Sequence, residues 1–126
     1  MKNLLLVFLG GGLGSMARYG LSRLMIEQFG IQVFPLGTFT ANILGCFLIG
    51  LMMGLLEKSQ GGSIGWHLLL TTGFCGGFTT FSSFAYENIL LLREQEVGFF
   101  LSYTFLSLVV SLGAVILGIA LVRSLF

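Results

Sequence analysis

Between Lys58 and Glu87 the chain carries no Lys, Arg, Asp or Glu. An uncharged stretch of that length cannot cover a soluble surface, and it exceeds the roughly 20 mostly apolar residues a bilayer-spanning helix needs. Its middle, TTGFCGGFTTFSSF (71–84), is nevertheless unlike a lipid-facing helix. Those fourteen residues hold three glycines, six hydroxyl side chains and four phenylalanines. Each glycine weakens a helix by about 1 kcal/mol relative to alanine. In hydrocarbon, every backbone group freed by a break needs protein or water to satisfy it. The stretch therefore has to face protein or a water-filled cavity. A break at Gly76-Gly77 would free carbonyl oxygens, the ligands that hard cations prefer, together with N–H groups.

Composition places the whole chain in a membrane. Of 126 residues only 9% are charged and mean hydropathy is +1.00, whereas soluble domains carry about a quarter charged residues. The reading is an all-α membrane protein forming one domain, 1–126, with four transmembrane helices at about 4–26, 36–56, 67–91 and 98–122, the third broken mid-membrane. Pro35 opens the second span, where its missing N–H costs least. Lys2, the run from Leu4 to Leu9 and Ser15-Met16-Ala17 imitate a signal peptide. The apolar run stops after six residues at three glycines, so a retained first helix is expected. A net charge of +1 gives no reason to expect a nucleic-acid partner. Cys46 and Cys75 lie in apolar runs far from any His or Cys and read as buried small hydrophobes.

Four spans put both ends on one side. That side holds Lys2, Lys58 and Arg123; the other holds Arg18, Arg23 and Arg93. Orientation normally follows an excess of Lys and Arg in cytoplasmic loops, and here the count is even. Both orientations are therefore open, and two copies have grounds to pair antiparallel. Small residues four apart (Gly10 and Gly14, Gly11 and Ser15, Gly37, Ala41 and Gly45, Gly50 and Gly54) permit close helix contacts.

Several polar groups fall at membrane depth. Asn42, with Thr38 one turn earlier on the same face, suits an interhelical hydrogen bond or a pore-lining donor, and taken alone the hydrogen bond is favoured. Arg18 inside the first span either snorkels to the interface or attracts anions from a vestibule. Glu87 near the end of the third span is a proton carrier or the partner of an Arg or hydroxyl. Phe78, Phe81 and Phe84 recur every three residues. Their spacing is that of ordinary packing, yet ring edges carry positive potential and would attract an anion without holding it tightly. Hydroxyls of Thr80, Ser82 and Ser83 would replace lost hydration. In the fourth span Tyr103, Ser107 and Ser111 fall on one face, as a polar track would. His67 beside Trp66 reads as an interface residue.

GFCGGFTTFSSF, GGGLGSMARY (10–19) and PLGTFTAN (35–42) together resemble the CrcB/Fluc fluoride channels, and the likeness covers essentially the whole chain. It implies an antiparallel, dual-topology homodimer in the bacterial inner membrane, with two pores that export fluoride passively and relieve its toxicity. It further implies a structural sodium ion on the two-fold axis, held by backbone carbonyls that correspond to Gly76 and Thr79. The family's phenylalanine pair corresponds to Phe81 and Phe84, its pore asparagine to Asn42, its first-span arginine to Arg18 and its acidic residue to Glu87. Ser111 matches a serine often found in the fourth span, although Val110 stands where relatives often have Gly.

The expected path starts at a vestibule of Thr38, Asn42 and the positive potential of Arg18. It passes the edges of Phe81 and Phe84, with Ser82, Ser83, Ser111 and Tyr103 along the pore. No covalent chemistry is required, so an enzyme is not expected. The rival is a proton-coupled exporter of the small multidrug type, also short, four-span and dual-topology. Such exporters use a membrane-embedded Glu in the first span, and here Glu27 lies at its end, beyond Arg23.

Overall fold

The computed structural model describes residues 1–60 and 62–126. Three helices are long and apolar enough to cross a membrane: α1 (Lys2–Phe29), α2 (Leu36–Lys58) and the last helix, Val97–Leu125. The chain is thus a multi-pass membrane protein, helical throughout its regular structure among the described residues. α1 ends where Gly30 takes φ 74°, a left-handed conformation that glycine adopts without steric cost. Pro35 stands just before α2.

The intervening polar segment is helical in two pieces. α3 covers residues 64–78. It opens as Ile64–His67, continues as a π-helical stretch Leu68–Cys75 and closes as Gly76–Phe78. α4 is Phe81–Arg93, and α5 is the Val97–Leu125 helix. Between α3 and α4, Thr79 (φ −85°, ψ 157°) and Thr80 (φ −151°, ψ 118°) are extended. The glycines expected to interrupt the segment are helical instead, and the extended residues are threonines. Sequence propensity pointed to Gly76 and Gly77 because glycine weakens helices, but here Gly77 serves close packing against α1.

That packing explains why small residues dominate the crossings. A Cβ on Gly14 would lie 2.8 Å from Phe78 N, and one on Gly77 would overlap the Gly11 carbonyl oxygen, contacts that real Cβ atoms do not make. α1 therefore presses directly onto the backbone of α3. α2 meets α5 the same way, with Gly118 facing Leu51 N at 2.7 Å from a would-be Cβ. Gly113 faces open space, with nothing within 4 Å among the described residues. α4 is tied to α5 by Thr104 Oγ1 donating to buried Asn88 Oδ1 at 3.3 Å. Ala41 and Tyr103 are fully buried between these helices, while most Leu, Ile and Phe of α1 and α5 are exposed. Such a surface suits lipid and not water.

Candidate functional site

The site is organised by Asn42. Its Oδ1 accepts from Thr80 N–H at 2.7 Å and its Nδ2 donates to Thr80 C=O at 3.1 Å. One amide thus satisfies both backbone groups of an extended residue, which a regular helix would otherwise have to pair. Thr80 then caps α4: Ser83 N–H donates to Thr80 Oγ1 at 3.2 Å. Ser82 Oγ lies 3.2 Å and Ser83 Oγ 3.3 Å from the same hydroxyl.

These diversions release carbonyls. In a continuous helix Thr80 N–H would bond Gly76 C=O, and Ser83 N–H would bond Thr79 C=O. Both donors are engaged elsewhere. The Gly77 carbonyl instead accepts from Arg18 Nε at 3.3 Å and from Ser15 Oγ at 3.5 Å. Arg18 therefore reaches the end of α3. The guanidinium at that C-terminus complements the helix dipole.

Beside the extended pair runs a groove of about 420 Å³. Asn42, Gly76, Thr79, Phe81, Phe84 and Ser111 all line it, bringing six of the sequence-selected residues together. Phe81 and Phe84 lie with ring centroids 5.7 Å apart, tilted by 39°. Phe81 is 78% exposed, so nothing within this chain's own core holds it. Both cysteines also line the groove.

A second cluster joins Thr38, Glu87 and Tyr103. Thr38 Oγ1 donates to Glu87 Oε1 at 2.7 Å, and Tyr103 OH donates to Oε2 at 2.8 Å. Each carboxylate oxygen so has a donor from a different helix, the pairing a carboxyl group needs inside an apolar bundle. Phe84 connects the two clusters, because its ring packs on Tyr103 with centroids 5.1 Å apart. Phe34 meets the same Tyr103 edge-on at 5.3 Å. Ser82 and Ser83 sit at the start of α4, outside the groove lining. Thr38 belongs with Glu87 and not with Asn42, although the two share a face of α2.

Ser107 lies on the polar face of the fourth span, between Tyr103 and Ser111. It is buried, lines the groove, and its Oγ has no hydrogen-bond partner among the described residues. A serine in a helix usually returns its hydroxyl to the preceding turn, so nothing in the sequence distinguished this one. Thr71 and Thr72 also line the groove from the π-helical stretch. The unpaired Ser107 hydroxyl gives the groove a donor of the kind that can replace the lost hydration of a small anion.

The chain matches the family described as CrcB-like protein, Camphor Resistance (CrcB), over residues 5–119. A protein of Gloeothece citriformis named Fluoride-specific ion channel FluC is 52% identical, covering 98% of both chains. Its namesake in Methylobacillus flagellatus is 46% identical over 98% of this chain and 96% of its own. The one in Flavobacterium psychrophilum is 46% identical over 90% and 89%.

Proposed function

Since the chain belongs to the CrcB family, we propose that it is a fluoride-selective channel that exports fluoride passively across the bacterial inner membrane. The observation that carries this reading is the groove in which Asn42, Phe81, Phe84, Ser107 and Ser111 converge. These groups are hydrogen-bond donors and ring edges without a fixed cation. Fluoride is held tightly by water, so donors that replace hydration without trapping the ion favour passage. Transport needs no bond made or broken, and the protein is a channel, not an enzyme.

The working unit is an antiparallel homodimer with two pores. An even split of Lys and Arg between the two sides supports it, as does a site groove left open along one face of the single chain. The extended residues Thr79 and Thr80 form a break in the third span at membrane depth. Fluoride enters past Asn42, crosses the Phe81 and Phe84 edges with the hydroxyls of Ser82, Ser83, Ser107 and Ser111 nearby, and leaves by Thr38, Glu87 and Tyr103. Arg18 and Glu87 bracket the path electrostatically.

Sodium fits the residues present. The carbonyls of Gly76 and Thr79 have lost their helical donors, and neutral oxygen is the ligand type that hard cations prefer. Contributed by two copies across the dimer axis, they would hold the ion, whose chemistry is to tie the broken helices together. The multidrug-type exporter lacks its central requirement, since Glu27 lies in the last turn of α1. The test is fluoride efflux from liposomes holding the pure protein with no pH gradient. Selective, electrogenic efflux is expected; efflux that needs a proton gradient would overturn the channel.

A further inference from the structure

The sequence offers Arg18 as a source of positive potential, but its contact has a different character. Arg18 is half-buried, and its Nε, the nitrogen within the side chain, is the atom within bonding distance of Gly77 C=O. Gly77 is flanked by Gly76 and lies two residues before Thr79, whose carbonyls form the proposed cation site. The Gly77 backbone is itself clamped: any Cβ there would strike Gly11. Ser15, one turn before Arg18 on the same face of α1, reaches the same oxygen. A carbonyl in this place has lost its helical donor, Phe81 N–H, to the start of α4. Left unpaired, it would compete to ligate the ion or close back onto Phe81.

We propose that Arg18 is a positioning residue. Its Nε–H holds the Gly77 carbonyl away from the cation site, so that Gly76 and Thr79 alone present oxygens. This inference rests on the sodium reading given above. It makes a prediction that electrostatic attraction does not. Glutamine carries an N–H at the position of arginine Nε and no charge, lysine carries the charge but a carbon there, and methionine carries neither. If the hydrogen bond matters, Gln substitutes for Arg and Lys does not.

The test uses the purified full-length chain in detergent, titrated with sodium against N-methylglucamine, reading the sodium concentration that gives half the thermal stabilisation. Arg18→Met is expected to raise it about tenfold, a loss of about 1.4 kcal/mol, with Arg18→Lys alike and Arg18→Gln near wild type. Amide exchange at Thr79 and Thr80 without sodium should accelerate about tenfold in Met and Lys but not in Gln, as expected for loss of one hydrogen bond. Rescue by Lys and not Gln overturns the proposal in favour of charge. A lower melting temperature with an unchanged sodium requirement overturns it in favour of plain structural support. A wild-type protein indifferent to sodium sinks the sodium reading instead, and the exchange measurement then judges Arg18 alone.

Discussion

Replacing Asn42 by alanine probes the site at its hinge. The side chain makes two bonds to Thr80, at 2.7 and 3.1 Å. A buried group left unpaired costs about 1–3 kcal/mol, so the Thr80 N–H would cost that much if the backbone stayed extended, while Thr80 C=O, the N-cap carbonyl of α4, keeps the first helical bond. An escape exists. Thr80 N–H can return to Gly76 C=O, which restores a continuous helix. That route keeps the destabilisation near the lower bound, about 1 kcal/mol, but removes the Gly76 oxygen from the groove. Asn42→Ala is therefore expected to fold and to lose fluoride efflux, with slower amide exchange at Thr80 than in wild type. Thermal unfolding in detergent, liposome efflux and exchange mass spectrometry read the three quantities. Wild-type efflux in a variant that unfolds normally would refute the role given to this amide.

Phe81→Ile with Phe84→Ile should abolish conduction and leave dimer assembly intact by size-exclusion chromatography; unchanged flux would remove the rings from the path. Gly118→Ala should destabilise by about 1–3 kcal/mol through overpacking against α2, whereas Gly113→Ala, facing open space, should be neutral or gain up to about 1 kcal/mol from helix propensity. Equal melting shifts for the pair would contradict the crossing described for α2 and α5. Ser107→Ala should leave stability unchanged or slightly raised, because it deletes a buried hydroxyl that has no partner. It should also lower fluoride flux, so a variant with unaltered flux would remove Ser107 from the pathway.

The three long spans were readable because charge is excluded from hydrocarbon, and most of the eleven charged residues, Arg18 and Glu87 apart, gather near helix ends and leave a coarse but strong signal. The third segment was harder. Its glycines and hydroxyls announced that the middle is unusual, yet the extended residues fell at Thr79 and Thr80. What moves them there is Asn42, thirty-eight positions away, and propensity has no access to a partner at that separation. The same limit applied to Arg18. Its presence in a span marked it as interesting, but only the packing of α1 on α3 shows that Nε meets a carbonyl. Thr38 shared a face with Asn42 by spacing, and the fold divided them between two clusters because Glu87 approaches only the outer one. Ser107 was lost for the opposite reason, as one hydroxyl among several whose special property is the absence of a neighbour.

The loose winding of Leu68–Cys75 has a mechanical meaning. Bonds that reach five residues back instead of four accommodate one extra residue in a turn. Removing a single residue there would tighten the wide turn to ordinary α-helical winding and leave the segments on either side close to their register. The inner side would stay put, pinned to α1 by the glycine contact at Gly77. The stretch is thus a slip joint: length changes at the membrane surface are taken up before they reach Gly76, and the oxygens of the site keep their bearing.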